Sequence, residues 1–256
     1  GGGASDSDAS VTEASGTEAS GTGASAADAT DARARLAAYR FADSFLPVGG
    51  NTVSYGLEQF VQSGAVADGD DLREVLESYL RRQIGPCETV AIRAAHAAAD
   101  DLDAVREVDE ALRATTLAAE FRESATKAGQ RLLEVESETG GDPVVAAYEE
   151  RVAGGDAPGN YPVALGLVAA RRGIDAEEAC LVHAHSFLTD MLGAAQRLLS
   201  LGHVTAQRVL DDLAPVAAAV VTANEDRGID RMEAFAPLVD VHAMEHERAD
   251  RRLFLS

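Results

Sequence analysis

Between His183 and Val216 the chain reads HAHSFLTDMLGAAQRLLSLGHVTAQRVLDDLAPV. Phe187, Leu188, Met191, Leu192, Ala195, Leu198 and Leu199 follow one another in steps that draw a single apolar stripe along a helix. Thr189, Asp190, Gln196 and Arg197 take the other side. Gly202 is expected to end this helix, because glycine accepts the left-handed conformation common just past a helix C-terminus. Thr205 is placed to cap a second helix with Val209, Leu210, Leu213 and Val216 inward. Two helices joined at a Leu-Gly corner make an αα-hairpin. Nowhere does the chain alternate convincingly with period two. The predicted fold is therefore all-α, a single-domain helical bundle.

Residues 1–32 are Gly, Ser, Ala, Thr and acid, with the crude repeat TEASGTEASGTGAS. Such a segment cannot bury a core and is expected to be a disordered acidic tail. Order is predicted from residue 33 to about 224. A short helix over 33–42 leads into a Pro47-Gly49-Gly50 loop. Thr52 or Ser54 then caps a helix carrying Tyr55, Leu57, Phe60 and Val61, which Gly64 stops. Further helices are expected over 70–84, 87–99, 102–117, 118–136, 144–152, 162–172 and 175–201. Gly85-Pro86 should break the chain between the first two of these. Residues 225–256 read as a charged C-terminal tail with scattered apolar anchors.

The chain carries 22 basic against 43 acidic residues, a net charge of −21. Non-specific nucleic-acid binding is thereby excluded. All but one of the basic residues are arginine, Lys127 being the lysine. A strongly acidic, lysine-poor, alanine-rich chain points to a cytosol of very high salt, where screening is nearly complete. Cys87 and Cys180 are far apart and outside any CxxC pattern, which argues against a disulfide framework and a cysteine zinc site. With neither a leader pattern nor an apolar run approaching about 18 residues, a soluble cytoplasmic protein without membrane contact is expected.

Motifs with catalytic meaning are sparse. PVGGNTVSYG, residues 47–56, is glycine-rich but lacks both GxxxxGK[ST] and GxGxxG, so it reads as a turn that aims a helix rather than a phosphate cradle. His242, Glu245 and His246 match HxxEH, the inverted zincin pattern, but in a segment with little helical core pattern. His183 and His185 fall on different helical faces, so one is expected packed and the other exposed. His203 is expected at a helix terminus where the dipole favours it. No Ser-His-Asp or Cys-His set can be assembled from spacing alone.

Four ordered blocks resemble the urease accessory protein F (UreF) family. LPVGGNTVSYGLEQFVQSGAV is similar to that family's PxGGFxHSxGLE signature through Pro47, Gly49, Gly50, Ser54, Gly56, Leu57 and Glu58; Asn51 and Val53 depart from it. Glu120, Arg122, Ser124, Gly129, Arg131, Leu132 and Leu133 resemble its ExRxxSxxxGxRLL helix. YPVALGLVAARRGI and AAQRLLSLGHVTAQRVLDDLAP resemble its most characteristic block, with Arg197, Leu201, Gly202, Gln207 and Leu210 in place and His203 where Gln is common. Asp240, Met244, His246, Glu247, Arg252, Leu253, Phe254 and Ser256 resemble its C-terminal tail, where Glu245 departs.

The resemblance implies an all-α, homodimeric, non-enzymatic scaffold. It would bind UreD (UreH in some systems) and the GTPase UreG, and dock on apo-urease to support GTP-dependent nickel insertion. No cofactor is implied, nickel being cargo in transit. The implied partner-binding residues are Pro47, Gly49, Gly50, Ser54, Tyr55, Gly56, Glu58, Arg197, Gly202, Gln207, Leu238, Asp240, Met244, His246, Glu247, Arg252, Leu253 and Phe254. The tail's anchors could not fold alone but could bury themselves on a partner. The alternatives are a metal-dependent hydrolase using His242, Glu245 and His246, or a direct nickel metallochaperone. The six histidines form no His-rich tract, which weighs against the latter.

Overall fold

The computed structural model describes residues 26–43, 46–47 and 56–234, and among these the chain is all helix and turn, with no strand. Helix α1 (Ala26–Ala42) turns Ala34, Ala38 and Phe41 inward, one stripe at helical spacing. It starts at Ala26, upstream of the expected residue 33. Alanine propensity, Asp28 in the first turn and an Asp31–Arg35 pair at 2.6 Å carry the helix through sequence that composition alone assigned to the tail.

Helix α2 (Leu57–Gln62) begins at Gly56, whose φ of 74° places it in the left-handed region, so a glycine and not Thr52 or Ser54 occupies the N-cap. Gly64, at φ 74°, ends the short helix as expected. Helix α3 (Gly69–Tyr79) is capped by the Asp68 carboxylate, which accepts from the Asp70 and Asp71 amides.

Gly85-Pro86 does not break the chain. The helix runs on through a π-helical stretch, Leu80–Thr89, into α4 (Val90–Ala97). A wider turn removes the clash that a proline ring makes with the carbonyl one α-turn back. The Thr89 hydroxyl donates to the Gly85 carbonyl at 2.7 Å, and the Glu233 amide donates to Pro86 O at 3.2 Å. Gly85 is needed for packing: a Cβ there would lie 2.2 Å from Val220 Cγ1.

Helices α5 (Leu102–Thr115), α6 (Ala119–Gly140) and α7 (Pro143–Ala153) follow, then α8 (Tyr161–Arg172), α9 (Ala176–Leu198) and α10 (His203–Ala223). Asp101, Asp142 and Asp175 cap three of them with side-chain carboxylates. Buried apolar residues form two clusters. One joins α1, α4, α5, α7 and α8 with the later part of α6 and the start of α9. The other joins α2, α3 and α10 with Phe121 of α6 and the rest of α9. Helix α9 passes through both, which explains its long apolar stripe. Helices α4 and α8 approach so closely that a Cβ at Gly166 would meet Ile92 O at 2.4 Å.

The α9–α10 corner differs from expectation in three ways. Gly202 is extended (φ −68°, ψ 146°) and is the N-cap of α10, while Ser200 takes the positive φ of 52°. Thr205 lies inside α10 and packs toward Gly69, where a Cβ would sit 2.7 Å from Thr205 Cγ2. His203 opens α10, at the helix pole that disfavours positive charge, and its Nδ1 meets Gln196 Nε2 at 2.8 Å. Beyond α10, a 3₁₀ turn (Ile229–Arg231) brings Met232 and Ala234 back onto the first cluster. The first residues of the expected tail thus belong to the folded body.

Candidate partner surface and buried polar clusters

The described candidate residues separate into surface and interior groups. Pro47 is exposed. Arg197 projects from the last turn of α9, and Gly202 and Gln207 are exposed at the start of α10, so these three share one corner. Val204 stands beside them at 74% exposure, an apolar side chain presented to solvent that the stripe analysis did not single out. Gly56 and Glu58 are interior instead: Glu58 is 1% exposed and accepts from Gln62 Nε2 at 3.0 Å. It supports the local fold, with Leu57 and Phe60 packed in the second cluster. Gly49, Gly50, Ser54, Tyr55, Leu238, Asp240, Met244, His246, Glu247, Arg252, Leu253 and Phe254 lie outside the described residues, as do His242 and Glu245.

The ExRxxSxxxGxRLL-like helix is explained by packing. Arg122 donates to the Thr116 carbonyl at 2.8 Å and also to Leu117 O, tying α6 to the end of α5. Leu132 and Leu133 are fully buried. Gly129 is where the 154–160 loop crosses α6: a Cβ there would lie 2.1 Å from Gly159 O.

That loop is pinned by Asp109, itself fully buried. Its carboxylate accepts from Tyr148 Oη at 2.6 Å, Gly159 N at 2.7 Å, Asn160 N at 3.0 Å and Asn160 Nδ2 at 2.6 Å. Burial pushes its pKa up, and these donors pull it back. Asp109 lies in α5, Tyr148 in α7 and Asn160 at the N-cap of α8, so one carboxylate links three helices. Glu136, 2% exposed, plays a similar part for Arg40 of α1 and Arg172 of α8.

A third cluster lies where α9 meets the π-helical stretch. His183 Nε2 contacts Glu88 Oε2 at 2.6 Å, and Gln83 Nε2 donates to Glu88 Oε1 at 3.0 Å. All three residues are buried, and His183 Nδ1 has no hydrogen-bond partner. His185 is exposed, so the expected split between the two histidines holds. The pairing of Glu88 with His183 had no signal in sequence, being a contact across 95 residues. Cys87 and Cys180 are buried and free, and burial pushes both thiols far up, to about 12 for Cys180. Among the described residues no group of three or more His, Cys, Asp or Glu could hold a metal ion, and no helix is long and apolar enough to cross a membrane.

The architecture is thus an all-α body cross-linked by buried carboxylates, with an exposed αα-corner carrying Arg197, Val204 and Gln207. The UreF family profile matches residues 66–214. A urease accessory protein UreF of Trichodesmium erythraeum (strain IMS101) is 32% identical over 222 residues, covering 86% of this chain and 96% of that protein. One from Yersinia enterocolitica is 34% identical over 217 residues, covering 84% and 95%. The counterpart in Yersinia pseudotuberculosis is 33% identical over the same span. The chain belongs to the UreF family of urease accessory proteins.

Proposed function

We propose that this protein is a non-catalytic scaffold of urease maturation. It binds a UreD (UreH) protein and the GTPase UreG, and the assembly docks on apo-urease so that nickel is inserted at the expense of GTP. Nickel passes as cargo, and the chain needs no cofactor of its own. The working unit is a homodimer in a cytoplasm of high salt, consistent with the charge of −21. The observation that carries this reading is likeness to UreF proteins along nearly their whole length, 95–96% of each relative named above. Two structural features support it. The α9–α10 corner presents Arg197, Gln207 and the exposed Val204 on rigid helices, and arginine with an exposed apolar neighbour suits a docking surface. The described chain also reaches Ala234 packed on the body, so a segment rich in apolar anchors starts from a fixed point.

The test is co-purification in multimolar potassium chloride with UreD and UreG counterparts, with and without guanine nucleotide, sized by light scattering. A defined complex with two copies of this chain is expected, and deletion of residues 235–256 should abolish UreD binding. A folded chain that stays alone with both partners present refutes the reading.

A further inference from the structure

Helix α1 carries two apolar stripes. Ala34, Ala38 and Phe41 are buried against the body. Ala29, Ala32, Leu36 and Tyr39 follow one another in steps of three and four along the opposite side of the helix. All four are exposed, and Leu36 and Tyr39 are each 67% exposed in the folded chain. The chain therefore does not cover this stripe itself. Helix α1 lies beside α9 and runs in the same direction: Asp31 and Arg35 act on Glu178, and the Ser186 hydroxyl donates to Phe41 O at 3.5 Å. Leu36 and Tyr39 are thereby level with Leu181 of α9, itself 37% exposed. Large apolar side chains that the body leaves in solvent thus gather in one place.

The outer stripe is complementary to itself. Its N-terminal half is small, Ala29 and Ala32, and its C-terminal half is large, Leu36 and Tyr39. Two copies of α1 laid antiparallel about a two-fold axis set Leu36 over Ala32 of the second copy and Tyr39 over Ala29. In heptad terms Ala29 and Leu36 hold one seam position and Ala32 and Tyr39 the other, so each large residue meets a small one. Parallel pairing would set large on large and small on small, with crowding at one end and a void at the other. Arg35 and Arg40, which flank the stripe, are already paired with Asp31 and Glu136, so covering it traps neither as a lone charge. A helix pair of three turns falls short of the roughly 1,200 Å² that a stable interface buries, so the contact must extend over Leu181 and the adjoining surface of α9.

We propose that a second copy of this chain covers the outer face of α1, packed antiparallel about a two-fold axis, with Leu181 of α9 extending the contact. The inference rests on the homodimer of the scaffold reading and deepens it by giving the residues that meet. An isologous interface demands a surface that fits itself, and the small-to-large order along α1 supplies one. A partner of different sequence requires no such order. Apolar packing does not depend on Coulomb attraction, so it persists in multimolar salt, where repulsion between two chains of charge −21 is itself screened.

The test is light scattering of the full chain alone in multimolar potassium chloride, with helical content followed by circular dichroism. The wild type is expected at twice the single-chain mass. Leu36→Asp and Tyr39→Asp alter exposed positions, so each is expected to keep its helical content and run as a single chain. The dissociation constant should rise roughly a hundredfold or more, since two-fold symmetry places each change in the interface twice. Orientation is read by oxidation. Ala32→Cys chains mixed with Leu36→Cys chains are expected to cross-link to each other and neither to itself, because only antiparallel packing brings positions 32 and 36 together. Cys87 and Cys180 are buried and do not compete. A folded Leu36→Asp chain that stays dimeric overturns this inference alone, and the homodimer reading stands. If that dimer has also lost the UreD counterpart, the face belongs to that protein, which equally overturns it. Should the aspartate variants unfold, the cysteine mixture decides: cross-linking only between like chains, or none, overturns the inference. A monomeric wild type refutes the homodimer reading and takes this inference with it.

Discussion

Replacing Asp109 by alanine should be among the most damaging changes in the molecule. The carboxylate satisfies four buried donors: the Tyr148 hydroxyl, the Gly159 and Asn160 amides, and the Asn160 side-chain amide. Truncation leaves the Tyr148 hydroxyl and the two backbone amides unpaired, at roughly 1–3 kcal/mol for each orphaned group, while Asn160 Nδ2 keeps the Asp109 carbonyl at 3.3 Å. Against that stands relief from burying a charge, which cancels several kcal/mol. The net loss expected is about 3–5 kcal/mol, a large share of the 5–15 kcal/mol that typically holds a domain folded. The loss should also be local, since the bond from Asn160 Nδ2 to the Asp109 carbonyl, at 3.3 Å, is a weak substitute for the carboxylate in holding the 154–160 loop to α5. The assay is denaturant unfolding in high potassium chloride, paired with amide hydrogen exchange. The midpoint should drop by the equivalent of that energy, and the Gly159 and Asn160 amides should lose protection under native conditions. A shift below about 1 kcal/mol, with those amides still protected, would refute the claim that Asp109 organises three helices.

Other perturbations test other parts of the fold. Gly129→Ala forces a methyl to within 2.1 Å of a backbone carbonyl, so α6 or the loop must move; a loss of about 2–3 kcal/mol is expected in the same unfolding assay. Gly141→Ala, where nothing lies within 4 Å but φ is +66°, should cost only about 1 kcal/mol; equal losses at the two sites would discredit the packing argument. Glu88→Ala deprives His183 Nε2 of its acceptor when Nδ1 already has none, so about 2–4 kcal/mol should be lost and exchange should quicken through the π-helical stretch. For pH, the folded Asp190 carboxyl sits at about 6, above its ordinary value of 3.8. The folded state therefore binds this proton more readily than the unfolded chain, and the group's destabilising effect fades as pH falls from about 7 to 5. The isolated protein should gain roughly 1 kcal/mol from this group across that window, and Asp190→Asn should remove the gain; an unchanged pH profile in the variant would contradict the raised carboxyl.

Helix positions were largely legible in the sequence because amphipathic periodicity and acidic caps are local signals. Asp68, Asp101, Asp142 and Asp175 each precede a helix and each cap it. The errors fall where a distant contact overrode a local rule. Gly85-Pro86 reads as a break, but packing of Val220 against Gly85 and the Glu233 amide on Pro86 O hold a π-helical turn instead. Gly202 reads as a left-handed stop, but Ser200 makes that turn and leaves Gly202 free to open α10. Glu58 is implied by the resemblance to be a partner-binding residue, yet α2 is short and packs on α9, which turns the carboxylate inward.

By itself the sequence determined the helical class, the order of most elements, the acidic surface and the UreF resemblance. These depend on composition and on neighbours within a few turns. Only the tertiary structure decided which carboxylates are buried and with whom: Asp109 with the 154–160 loop, Glu88 with His183, and Glu136 with two arginines. A carboxylate's burial and partners depend on side chains brought near from elsewhere in the chain, and helical periodicity carries no information about that distance.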